Sequence, residues 1–111
     1  MNPERERLQQ RMQILQQRYT EALPERIRQI EALWQQLVRE EGQQVFEQLL
    51  HSVHNLTGSG TIYGHPRISE VAARLEQMLA EARRPTRIPD TLREKIENAL
   101  QDLHCAAGRR P

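Results

Sequence analysis

Apolar residues recur along this chain at helical rather than strand spacing. Leu8, Met12, Leu15 and Tyr19 form a first stripe, which Leu23, Ile27, Ile30, Trp34 and Leu37 continue. Pro24 interrupts the run. Proline fits a first helical turn and forces a kink elsewhere. The pattern therefore predicts either one bent helix or two helices meeting near Ala22 and Leu23. Gly42, after Glu40 and Glu41, is the candidate C-terminal cap of this segment. A second helix is predicted from about Gln44, with Val45, Phe46, Leu49, Leu50, Val53 and Leu56 on a broad face, stopping near Gly64, His65 and Pro66. A third carries Ile68, Val71, Ala72, Leu75, Met78 and Leu79. Residues 84–89 hold two prolines without periodicity and read as a loop. Thr91, with Glu94 three residues later, has the form of a capping box. It precedes the last stripe, Leu92, Ile96, Ala99 and Leu103, and Gly108 to Pro111 is expected to be a frayed tail.

One apolar stripe per helix, joined by short later loops, is buried economically by antiparallel neighbours in a bundle. The expected fold is all-α. Its parts are an N-terminal helix or extension over residues 1–22, a helical bundle over 23–107 and a tail over 108–111. Leu49, Val53, Leu56, Ile68, Val71, Leu75, Leu79, Ile96 and Leu103 are the predicted core. Residues 4–18 are dense in Glu, Gln and Arg, which invites a coiled-coil reading. The stripe there covers only about two to three heptads, so packing on the bundle or extension from it is expected instead.

Composition narrows the class. With 111 residues the chain is the size of one domain. Aromatics are 4% of the residues, so the core must be built from Leu, Ile, Val, Ala and Met, which favours helices over a β-sandwich. The net charge is +1, with arginines interspersed among glutamates, which leaves no footprint for nucleic acid or an anionic membrane. Cys105 is single, so no disulfide can form within the chain and a reducing compartment is expected. A place at a helix end, rather than a reactive role, is expected for it. No apolar run approaches the ~20 residues of a membrane span. The charged N-terminal stretch has no apolar h-region. A soluble, cytoplasmic, monomeric protein, or a cytoplasmic module of a larger one, is expected.

The chemistry concentrates in His54-Asn55-Leu56-Thr57-Gly58-Ser59-Gly60-Thr61-Ile62-Tyr63-Gly64. Glycine costs about 1 kcal/mol against alanine inside a helix. Gly58 and Gly60 beside a histidine therefore suggest that something comes close to that surface. His54 follows the core residue Val53 by one position, about 100° around the helix. It should lie at the edge of the apolar face, at least partly exposed, with Gly58 one turn later. Thr57 at i+3 and His51 at i−3 border it. If the following turn centres near His65, antiparallel helices bring Glu76 level with His54. Its carboxylate could then accept from one ring nitrogen and leave the other to attack. His51, His54 and His65 raise the question of a metal, but no cysteine or placed third ligand accompanies them, and none is expected.

The run resembles the signature of histidine phosphotransfer (HPt) domains through His54, Leu56, Gly58, Ser59, Gly60 and Gly64. Residues 19–26, with Leu23 and Pro24, also resemble the helix that precedes the histidine helix in that family. Thr57 stands where the family usually has lysine. The resemblance implies a four-helix bundle with an extra N-terminal helix. His54 would be the phosphoacceptor and donor. Thr57, Gly58, Ser59, Glu76 and His51 would support it or form the docking surface. In the family a polar residue at the place of Glu76 often hydrogen-bonds the imidazole. Arg74, His51 or the partner would supply the lysine's charge; otherwise transfer would be slower or the phosphohistidine less stabilised. The implied partners are a response-regulator receiver domain, which brings its own Mg²⁺, and a hybrid sensor histidine kinase. The chain itself would bind no cofactor and, lacking a nucleotide-binding loop, would be no kinase. A non-catalytic helical adaptor or a degenerate HPt interaction module is the alternative.

Overall fold

The computed structural model describes residues 2–40, 42–82 and 88–108. The described residues form four helices and no strand: α1 (Pro3–Glu40), α2 (Gln43–Ile62), α3 (Pro66–Glu81) and α4 (Asp90–Ala106). The helices α2 and α3 form the central hairpin, α4 packs on α3, and α1 closes the bundle against α2 and α4. Cross-helix partners run in opposite order along α2 and α3 and along α1 and α4. His54 meets Glu76 and Thr61 meets Ser69, while Trp34 meets Glu97 and His104 meets Glu31. The bundle is therefore antiparallel, as expected for a helix pattern broken by short turns. All nine predicted core residues are 1% exposed or less. Tyr19, Leu23, Ile27, Ile30, Trp34 and Leu37 bury the core stripe of α1. Trp34 satisfies its indole by donating Nε1–H to Glu97 Oε2 at 3.3 Å.

Several local expectations are corrected. Of the two arrangements the pattern allowed, the segment before Glu40 is the single helix, with Pro24 inside it. Proline deprives the Thr20 carbonyl of its i+4 donor. The flanking stripe, Tyr19, Leu23 and Ile27, is nevertheless buried on both sides of Pro24, and tertiary packing carries the helix through. Gly42 does not end α1 but precedes α2 as its N-cap, with φ −109° and ψ 134°, an extended conformation. Thr91 is no cap either. Pro89 (φ −58°, ψ 143°) is the N-cap of α4, so Thr91 already sits inside the first turn, and no side chain caps this end. The predicted loop falls on residues 84–87, outside the described residues, apart from Ile88 and Pro89. In the predicted tail only Gly108 is described, at φ +81°.

The first stripe divides. Tyr19 is buried, but Leu8, Met12 and Leu15 are exposed at 66%, 44% and 45%. The cause is length. At ~1.5 Å per residue a helix of 38 residues spans roughly 57 Å, whereas α2, α3 and α4 have 20, 16 and 17 residues. Among the described residues α1 therefore runs on past its shorter neighbours, and the molecule measures 60 × 27 × 19 Å.

The turn between α2 and α3 fixes how these helices meet. Gly64 adopts φ +85°, its N–H bonds the Thr61 carbonyl, and the His65 N–H bonds the Gly60 carbonyl at 2.7 Å. This is the Schellman closure, in which a left-handed glycine lets two late amides satisfy the last carbonyls. Pro66 then opens α3, where its missing N–H costs nothing. Ser69 Oγ accepts the Thr61 N–H at 2.7 Å. This close approach needs the bare Cα of Gly60. A methyl there would lie 2.6 Å from Ser69 Oγ and 2.9 Å from the His65 carbonyl oxygen and the Ser69 nitrogen.

Two of those contacts are to backbone, which cannot turn aside. Gly60→Ala should therefore destabilise the protein by about 1–2 kcal/mol, because overpacking outweighs alanine's better helix propensity. Urea unfolding followed by circular dichroism measures this. An unchanged or raised midpoint would show that the α2–α3 contact can yield.

Candidate functional site

His54 projects from α2 beside the stripe of Phe46, Leu49, Val53, Leu56 and Gly60, and two thirds of its side chain (67%) is exposed. Its Nδ1 lies 2.8 Å from Oε2 of Glu76 on α3. A carboxylate is an acceptor only, so Nδ1 carries the proton of the neutral ring and Nε2 keeps its lone pair. The second carboxylate oxygen, Oε1, accepts from Thr57 Oγ1 at 3.1 Å, and the same hydroxyl reaches the Val53 carbonyl at 3.2 Å. One residue on α3 and two on α2, a turn apart, thus make a continuous chain of hydrogen bonds that ends on the ring nitrogen opposite the exposed one. The chemistry this permits is nucleophilic attack by Nε2 without loss of a proton from the ring.

The two helical glycines have different surroundings. Nothing lies within 4 Å of where a Cβ of Gly58 would be, so this glycine leaves an open notch one turn from His54. Gly60 faces inward against α3. What comes close to Gly60 is the protein's own turn, which corrects the expectation that both glycines clear the outer surface. Position alone distinguishes them, because Gly60 continues the Val53–Leu56 stripe and Gly58 continues the exposed His54 line.

Of the remaining predicted residues, His51 lies one turn before His54 and its Nε2 meets the Asn55 amide nitrogen at 3.4 Å. Ser59 does not join the site. Its hydroxyl donates to the Asn55 carbonyl at 2.7 Å, and the Tyr19 hydroxyl lies 2.8 Å away on α1. The guanidinium of Arg74 pairs with Asp102 of α4 at 3.3 Å. His65 stands apart from His54, with Nε2 at 2.7 Å from Thr20 Oγ1, which itself donates to the Gln16 carbonyl. His65 Nε2–H is therefore the donor in that pair.

Sequence reasoning missed a groove beside the site. Leu15, Arg18, Tyr19, Ala22 and Arg26 of α1 face Asn55, Ser59 and Tyr63 across an open cleft of about 520 Å³. Tyr19 and Tyr63 stack with centroids 4.8 Å apart, and the Arg26 guanidinium sits 5.5 Å from the Tyr19 centroid. The signal was available in the spacing of Leu15, Tyr19, Ala22 and Arg26 on one side of α1. It could not be read without knowing which side α2 covers.

The sequence model of the Hpt domain family matches residues 13–105. The chain belongs to the Hpt domain family. Neither the curated proteins nor the solved structures contain a significant match. Hpt domains serve phosphorelays by histidine phosphotransfer, as intermediates rather than kinases, and they work with response regulators and kinases. The match covers α2, α3, most of α4 and α1 from Gln13 onward. No helix among the described residues of this Hpt domain is long and apolar enough to cross a membrane.

The open space at Gly58 gives a stability prediction opposite in sign to that for Gly60. Gly58→Ala should leave the fold intact and raise stability by up to about 1 kcal/mol, since only helix propensity changes. The same denaturant titration tests it, and a destabilised variant would mean that the notch is needed by the fold itself.

Proposed function

We propose that this Hpt domain is a phosphorelay intermediate that carries a phosphoryl group on Nε2 of His54 and exchanges it with the aspartate of a response-regulator receiver domain. The observation that carries the reading is the His54 ring, mostly in solvent, with Nδ1 held by Glu76 at 2.8 Å, which leaves the lone pair on Nε2. In-line attack on an aspartyl phosphate needs a lone pair that another protein can reach. A ring on a convex helix face supplies it. The N–P bond forms at Nε2 as the P–O bond of the aspartyl phosphate breaks, and the carboxylate of the receiver leaves. The receiver supplies its own Mg²⁺, which offsets charge on the phosphoryl oxygens during transfer. This matters more here than where a lysine stands at the place of Thr57.

Incubation with a phosphorylated receiver domain should give acid-labile, alkali-stable label on the wild-type chain. His54→Gln should take up none while its helicity stays the same, because glutamine has no nucleophilic ring nitrogen. Label retained in that variant, or found on His51 or His65, would defeat the assignment.

Gly58 is proposed as the approach surface. A bulky Gly58→Gln should fold as well as the wild type yet transfer more slowly, because its side chain fills the notch beside His54. Titration with the receiver domain, with helicity followed separately, checks this. Unchanged affinity and transfer rate would exclude Gly58 from the interface.

A further inference from the structure

We infer that Thr57 is a positioning residue that locks Glu76 onto the ring of His54 and thereby biases phosphorylated His54 toward giving its phosphoryl group away rather than storing it. The inference rests on His54 being the phosphoacceptor and concerns what its neighbours do to the bound group.

Both oxygens of Glu76 are engaged. Oε2 takes Nδ1–H of His54 at 2.8 Å, and Oε1 lies 3.1 Å from the Thr57 hydroxyl, whose one hydrogen it shares with the Val53 carbonyl at 3.2 Å. The carboxylate plane is thus fixed from two sides, and the Thr57 hydroxyl is turned toward Glu76. When Nε2 attacks, the N–P bond forms and the ring gains a formal positive charge with its hydrogen still on Nδ1. The facing carboxylate balances that charge and holds the hydrogen in place. In the donating step the N–P bond breaks and its electron pair returns to Nε2, so neutral imidazole leaves. A ring stripped of the Nδ1 hydrogen would have to leave as an imidazolide anion, a far poorer leaving group.

Among the described residues, nothing near the ring favours retention instead. On α2, His51 lies one turn back, and Glu47 two turns back takes the Gln43 amide at 2.9 Å. On α3, Arg74 is paired with Asp102 of α4. On α1, Arg18 and Arg26 lie across the groove, beyond Asn55 and Ser59. A lysine at position 57 would bind phosphoryl oxygens and favour the stored state. The hydroxyl present there serves Glu76, whose own charge repels those oxygens.

The test uses phosphoramidate as a direct donor to the histidine, releasing ammonia, with ³¹P NMR to follow the product. Loss of phospho-His54 to water, and its transfer to a Mg²⁺-loaded receiver domain, are timed from about pH 6 to about pH 9. Thr57→Val keeps the shape and removes the hydroxyl, Thr57→Ser keeps the hydroxyl, and Glu76→Gln removes the charge. Loss of one such hydrogen bond corresponds to a rate change of about fivefold to tenfold. Thr57→Val and Glu76→Gln should donate more slowly by that factor at the alkaline end, with the decline setting in at lower pH than in the wild type. Thr57→Ser should follow the wild type. Wild-type rates and an unmoved pH profile in Thr57→Val would overturn the inference, as would a loss in Thr57→Ser equal to that in Thr57→Val. If the wild type forms no phosphohistidine, or His54→Gln still does, it is the phosphoacceptor reading that fails.

Discussion

The arrangement of this protein depends on how closely α2 and α3 meet at their shared turn. Gly60 presents a bare Cα to Ser69 and the His65 carbonyl, at distances no side chain could occupy. The Schellman closure at Gly64 and the Thr61–Ser69 hydrogen bond fasten the same end. Two antiparallel helices pinned there have little freedom to slide. A shift of one residue would move a side chain ~1.5 Å along the axis and ~100° around it. The pairing of His54 with Glu76, on side chains far along each helix from the turn, is therefore set by a glycine that touches neither.

Around that frame the molecule separates burial from chemistry. Among the described residues the core holds no charged side chain. The polar groups that link helices lie at its rim: Trp34 with Glu97, His104 with Glu31, and Tyr19 with Ser59. Pairs with one or both partners well exposed, such as Arg74 with Asp102, add little stability. They bear on register more than on energy. The hydrogen bonds that join Thr57 and His54 through Glu76 belong to this rim as well.

Much of this was legible in the residue pattern because an amphipathic helix writes its buried face every three to four positions. Leu49, Val53, Leu56, Ile68, Val71 and Leu75 could be placed in the core from spacing alone. The offset of His54 from Val53 gave its exposure, and counting back from the turn put Glu76 level with it. Other features depended on information the local pattern does not hold. Whether Leu8, Met12 and Leu15 are covered depends on the lengths of the other helices, not on the stripe. Pro24 signals a break locally, yet buried neighbours on both sides carry the helix through it. Arg74 and Asp102 lie far apart in sequence, so their pairing needed the position of α4. The Thr91–Glu94 spacing matched a capping box, but Pro89 starts the helix before Thr91 is reached.

The exposure of His54 has a consequence for how such a domain could hold information. The oxygens of a phosphoryl group carry nearly two negative charges at neutral pH, against the one positive charge that the ring gains. At this ring the group would meet solvent, Glu76 and the open notch at Gly58. Among the described residues no buried ion pair lies beneath to be broken, and no packed element lies above to be displaced. The occupied and empty forms would then share one backbone, and a partner could tell them apart only by touching the substituent itself. On that account the message is written on the molecule as a mark on a rigid tally, with nothing in its outline to betray it from a distance.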